Sequence, residues 1–399
     1  MIYRRLLAAL TRVTSSGTYI PEIDGLRFVA IASVVLFHVR SYLGAKSGVS
    51  WQVPLERDFL ARMLFHLDRG VPLFFGISGF VLSLPFAIYS RGTSRRPSLR
   101  AYYRRRLTRL EPPYLLSLLV FSLMLWLVNH RSAGELAPHT LASAAYVHNV
   151  LYRDPSAINV VYWSLEIEVQ FYLLAPFICR IFEIRPRRPR RLILALMLIA
   201  TSAASSSLGQ YRLVTLSLVG ALPFFLVGLL FADIYVDDWR CAPPHHPIWD
   251  CVAVPAFLAL FATTFETSLE KILFPPLMLV VYGAVFRGVY VRRALTTPLL
   301  TTIGGMCYSI YLLHYKVISA VGLVTIRATA GHTFWLNFLV QASLLGTAVI
   351  IASAGYFLLV ERPCMSRDWP ERLAAWAASS LRRRNEPLNA PLGDTEPLP

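Results

Sequence analysis

Ten apolar stretches, each near the length of a bilayer-crossing helix, dictate what this chain can become: 23–43, 71–90, 112–128, 159–179, 192–208, 213–235, 247–263, 269–286, 299–326 and 337–360. A spanning helix needs about 20 mostly apolar residues, because hydrocarbon offers backbone N–H and C=O groups no outside partner. The stretches 112–128 and 192–208 lie at the lower limit. The stretch 141–152 is too short to cross and reads as a loop or a segment dipping into the bilayer. Of the 399 residues 55% are apolar and 16% charged, against roughly 25% charged in a soluble domain. That hydrophobicity excludes a disordered chain. The apolar background also excludes a soluble nucleic-acid binder, despite a net charge of +16. Five cysteines without CxxC spacing indicate neither a disulfide framework nor a metal site. The expected fold is an all-α, polytopic membrane bundle of about ten helices without internal repeats.

Charge fixes the expected orientation. With the N-terminus inside, the cytoplasmic segments hold 27 basic residues and the outer ones 9. Lys and Arg in short loops resist translocation, so both termini are expected in the cytoplasm. Only Lys46, Lys271 and Lys316 are lysine, which reads most simply as codon bias. Three regions follow: a cytoplasmic segment 1–20, a membrane domain 21–363, and a cytoplasmic tail 364–399. The apolar core at 6–10 is too short for a secretory signal, and an interfacial helix is expected there. In the tail, Trp369, Leu373, Trp376 and Leu381 repeat at helical spacing with Arg372 and Arg382 to Arg384 beside them, the pattern of a helix lying on a membrane surface. The last fifteen residues read as disordered.

Charged groups at membrane depth are costly and mark functional candidates. Asp24, Arg27 and His38 share the first stretch. Arg27 and His38 are eleven residues apart, a turn only about 20° past three full circles, with a rise of about 16 Å. Both therefore point to one face, Arg27 near the cytoplasm and His38 far across. This suits a channel with an anion-binding guanidinium at its mouth and an imidazole at depth. A snorkelling Arg27 and a packed, hydrogen-bonded His38 are the structural alternative.

The second stretch contains Phe74-Phe75-Gly76-Ile77-Ser78-Gly79-Phe80. Small residues here serve close helix packing, or admit a ligand's thin chain with Ser78 as a hydrogen-bonding group. The next cytoplasmic segment carries Arg100, Arg104, Arg105, Arg106 and Arg109 with Tyr102 and Tyr103; it anchors topology, binds phosphates through guanidinium forks, or pairs with Glu111. In the fourth stretch Glu166 and Glu168 lie about 200° apart around the helix. Glu168, the deeper, is the better group to orient His38 or Arg27, with a structural ion pair as the alternative. His314 in the ninth stretch reads more readily as structural. Glu361-Arg362-Pro363 closes the last helix.

In this order the pieces resemble the bacterial acyltransferase 3 family, intramembrane acyltransferases that include O-antigen and peptidoglycan O-acetylases. The resemblance rests on Asp24-Gly25-Leu26-Arg27 with His38, on Phe74 through Phe80, and on Arg104 to Arg106 with Arg109 and Pro113-Tyr114. It continues through Trp163 to Leu173, Tyr308 to His314, and Val360 to Pro363. It covers residues 21 to 363, and six motifs in register are specific where one is not. Lys316 departs from the proline that many relatives carry. The extracytoplasmic esterase-like domain fused to some relatives is not seen, so transfer is expected within the bundle or by hand-over to a separate protein.

The resemblance implies an acyl-CoA donor, usually acetyl-CoA, entering from the cytoplasm, and an acceptor hydroxyl on a glycan, lipid-linked sugar or other glycoside. It places the chain in the bacterial cytoplasmic (inner) membrane, with no metal and no nucleic-acid partner; homodimer formation is left open. The expected catalytic residues are His38 as general base, Glu168 and Asp24. Arg27, Arg104, Arg106, Phe75, Ser78 and Gly79 are expected to hold the donor. Direct transfer is preferred over an acyl-His38 intermediate. A multi-pass transporter or proton-coupled permease uses the same intramembrane His, Arg and Glu; inverted repeats would mark it and none is seen.

Overall fold

The computed structural model describes residues 7–12, 19–46, 58–92, 94–328 and 334–366, together with Trp369 and Glu371. No β-strand occurs among them. A helix coincides with each of the ten expected stretches: α1 (Pro21–Lys46), α2 (Gly70–Ser90), α3 (Leu99–Leu127), α4 (Tyr162–Ile178), α5 (Arg187–Ser207), α6 (Leu218–Asp237), α7 (Ile248–Ala262), α8 (Ser268–Arg287), α9 (Cys307–Thr325) and α10 (Phe334–Tyr356). Seven of these, all but α4, α5 and α7, are long and apolar enough to cross a membrane. At 15 residues α7 is about 22 Å long, short of a hydrocarbon core of about 30 Å. The polytopic helical class therefore stands on seven helices, with ten crossings as the sequence expectation. The amphipathic tail helix lies outside the described residues except Trp369 and Glu371, as do residues 1–6 of the N-terminal segment.

Three local expectations change. The arginine-rich segment is no loop: α3 begins at Leu99, with the Ser98 hydroxyl accepting from the Ala101 N–H at 3.4 Å. Arginine is a good helix former, so the helix extends through the charged residues and over Pro112-Pro113. The stretch 299–326 is broken, with a short helix Pro298–Gly305 ahead of α9. Gly304 explains the break, since a Cβ there would come within 1.9 Å of the Asp24 carbonyl oxygen; this helix crosses α1 backbone to backbone. Residues 133–144 and 148–152 form two short helices, the first against α3 and the second against α4.

Gly-mediated contact also sets the centre of the bundle. A Cβ on Gly79 would meet the Phe225 carbonyl oxygen at 2.2 Å, and one on Gly228 the Gly76 carbonyl oxygen at 2.1 Å. Without side chains at these points α2 and α6 touch along their backbones, the way small residues drive association in membranes. Gly79 is thus a packing position.

Ion pairs lock one end. Arg190 on α5, fully buried, donates to Asp233 on α6 at 2.5 Å and to Asp237, and its second branch reaches the Ile184 carbonyl at 2.6 Å. Arg91, just after α2, also bonds Asp237, and Arg191 bonds Asp233 at 2.7 Å. The ends of α2 and α6 and the start of α5 therefore lie together, as alternating crossings require. At the other end Arg69 donates to the Thr263 and Thr264 carbonyls at 3.1 and 2.8 Å.

Candidate functional site

A cavity of about 120 Å³ sits among α1, α2, α3, α4, α9 and the end of α10. That is room for several water-sized groups, a slot suited to a thin chain. Three guanidinium groups line it, Arg27, Arg106 and Arg109, together with the carboxylates Glu168 and Glu361. The apolar walls include Val34, Phe75, Leu110 and Tyr311.

On α1 the wall is formed by Arg27 and Val34, seven residues or about two turns apart. One turn beyond Val34 comes His38, whose ring lies 5.1 Å from that of His314 and 5.2 Å from that of Tyr315, both on α9. Arg27 and His38 therefore face the same neighbours, α9 running beside both, with Cys307 and Tyr311 along the slot and His314 past its end. His38 itself is not part of the lining.

Asp24 is buried and holds two arginines: Arg27 Nη1 at 2.8 Å and Arg12 Nε at 2.9 Å. Arg12 precedes α1; burial and the neighbouring Arg27 push its pKa down to about 10, which still leaves it cationic at neutral pH. Asp24 thus fixes Arg27 from behind, leaving the rest of that guanidinium toward the slot. Glu168 accepts a short hydrogen bond from the Ser78 hydroxyl; Ser78 and Phe75 both line the slot. Glu168 is bonded to α2 and not to His38 or Arg27. Glu166 faces the opposite way, its Oε2 accepting from the Asn149 N–H at 2.8 Å, as the 200° separation requires.

Arg104 and Arg106 part company. Arg106 lines the slot, 5.7 Å from the centre of the Tyr172 ring. Arg104 is exposed and pairs with Glu371. Two residues apart on a helix means about 200° around its axis, whereas Arg106 and Arg109 are only about 60° apart. Reading the segment as a loop concealed that phase, and with it Arg109. Two other groups at or beside the slot are Glu361, expected only to close the last helix, and His314, expected to be structural. Glu361 is buried, with Oε2 accepting from the Ser309 N–H at 3.0 Å and hydroxyl at 2.5 Å. His314 Nδ1 lies 2.9 Å from the Ile310 and Tyr311 carbonyls. A proton on Nδ1 satisfies those carbonyls and leaves Nε2, which is buried without a partner, as a bare lone pair beside His38. No cluster of metal-ligating residues occurs among the described residues.

A family model described as an acyltransferase domain, Acyl_transf_3, matches residues 20–357. The chain belongs to the acyltransferase 3 family. Among curated relatives, O-acetyltransferase OatA of Staphylococcus aureus (strain NCTC 8325 / PS 47) is 25% identical over 332 residues, covering 76% of this chain and 51% of the relative. Peptidoglycan O-acetyltransferase OatA of Listeria monocytogenes serovar 1/2a is 28% identical over 190 residues, 45% of this chain and 27% of that protein. The chain thus spans about half the length of the first of these acyltransferase 3 relatives. No solved structure matches it.

Proposed function

We propose that this acyltransferase 3 protein is a membrane O-acyltransferase, taking an acyl group, acetyl in the simplest case, from cytoplasmic acyl-CoA to a hydroxyl of a glycan or glycoside. One observation carries the reading: a slot lined by three arginines runs along the α1 face of Arg27 to Val34, one helical turn short of His38 and its neighbour His314. An acyl-pantetheine arm is on the order of 15–20 Å, comparable to the rise of about 16 Å between Arg27 and His38. Arg27 and Arg106 hold phosphate oxygens by charge-assisted hydrogen bonds. The relatives named O-acetyltransferases support acetyl transfer, and the Listeria name supports a glycan acceptor.

In this scheme His38, as neutral imidazole, takes the proton of the acceptor hydroxyl while its oxygen bonds to the thioester carbonyl carbon. The C–S bond then breaks, the acyl group stays on the acceptor oxygen, and the CoA thiolate collects the proton from His38. His314 positions the base: its Nε2 lone pair, without a partner in the resting structure, takes the N–H of the adjacent His38 ring once the acceptor is bound, leaving the other His38 nitrogen free to accept. Ser78 and Glu168 form a fixed polar wall part-way along the slot. The arginine asymmetry of the sequence supports donor entry from the cytoplasmic side.

The test uses membranes from cells making the full chain, supplied with acetyl-CoA labelled in the acetyl group. Label is expected in the glycan fraction, and His38→Ala is expected to abolish it at matched protein level. Undiminished transfer by His38→Ala would falsify the general-base assignment.

A further inference from the structure

Two residues that line the slot each keep one buried atom without a hydrogen-bond partner, and the two atoms are of opposite sense. Glu361, 1% exposed, keeps Oε2 for Ser309, while its Oε1 is buried without a partner. Arg109 lines the same slot, and its Nε–H, also buried, has no acceptor. The two do not satisfy each other. Burying a donor or an acceptor unmatched costs about as much as losing a hydrogen bond, so each atom has a hydrogen bond to gain from a guest in the slot.

Chemistry narrows the guest. A phosphate offers acceptors only and would be repelled by Glu361. A thioether or an alkyl chain satisfies neither atom. A trans secondary amide presents an N–H on one side and a C=O on the other, matching Glu361 Oε1 and Arg109 Nε–H together. The acyl-CoA arm carries two such amides between its phosphates and its sulfur, and the pair lines the same slot as Arg27 and Arg106, along which that arm would pass. Resting on the acyl-CoA reading, we infer that Arg109 and Glu361 form an amide clamp for the pantetheine arm. N–H from the arm donates to Glu361 Oε1, Arg109 Nε–H donates to the arm's carbonyl, and water held by either group is displaced. The clamp sets how far the arm extends and so where the thioester stops relative to His38.

Arg109→Met and Glu361→Gln test this in the purified full-length protein, by displacement of labelled CoA. Glu361→Gln keeps shape and can keep the Ser309 bond through its amide oxygen, turning an NH2 donor toward the slot where the clamp needs an acceptor. CoA and adenosine 3′,5′-bisphosphate are compared, since the second has the nucleotide head without the arm. Each variant is expected to weaken CoA by about tenfold or more, with the bisphosphate changed less than about twofold. CoA affinity unchanged, or both ligands weakened alike, overturns the clamp while leaving the acyl-CoA reading standing. Wild-type protein that binds neither ligand overturns that reading and the clamp with it. If Arg109→Met does not insert, Glu361→Gln decides alone.

Discussion

Single side chains in this protein are separated by helical phase. Arg106 faces the slot and Arg104 faces solvent with Glu371, so substituting them should give unequal effects. Arg106→Ala is expected to raise KM for acetyl-CoA by about tenfold, the loss of a charge-assisted hydrogen bond. Arg104→Ala is expected to change it less than about threefold, because an exposed pair contributes little. Steady-state kinetics on matched membranes measures both, and equal effects would contradict the placement. His314→Phe keeps a ring beside His38 but no lone pair; kcat should fall by about tenfold or more with KM for acetyl-CoA little changed. A fall in KM-linked affinity alone would place His314 in donor binding. The stripe from Arg27 to His38 was legible in the sequence because one helix obeys one periodicity. The contact of His38 with His314 was not, because it depends on how α9 docks against α1, and nothing in the 275 intervening residues encodes that distance as a pattern. Asp24 was legible as a buried acid; its second arginine, Arg12, was not, lying before the helix.

At the scale of elements, glycines and helix ends decide the architecture. Gly79→Ala forces a methyl against the Phe225 carbonyl, and separating α2 from α6 is expected to cost about 1–3 kcal/mol by overpacking. Gly346→Ala on α10, with nothing within 4 Å of its new methyl, is the matched control. Thermal retention of folded, detergent-solubilised protein should fall for the first and hold for the second. All ten apolar stretches were found as helices, since length and hydropathy are local properties. The start of α3 was missed because eight arginines in 91–111 look like a connecting loop, although arginine and the Ser98 cap favour helix. The break before α9 was missed because Gly304-Gly305 acts through contact with α1, a tertiary fact.

For the molecule as a whole, buried charge ties the crossings together. Arg190 has no exposure and serves Asp233, Asp237 and two backbone carbonyls. Arg190→Met leaves two acids without it in a buried site, and is expected to destabilise the bundle by about 3–5 kcal/mol; surviving folded fraction after mild heating reads this out. The slot lined by Arg27 and Val34 then leads from the arginine end toward the imidazole pair, and donor entry along it is the claim on which the proposed function rests. The most direct check replaces the five native cysteines by serine, since Cys307 lines the slot, and adds Val34→Cys between Arg27 and His38. A small methanethiosulfonate reagent is applied with and without acetyl-CoA, with the exposed Gly134→Cys as reference. The account predicts that acetyl-CoA slows modification of Val34→Cys severalfold and leaves Gly134→Cys unchanged; equal rates at Val34→Cys with and without acetyl-CoA would contradict it.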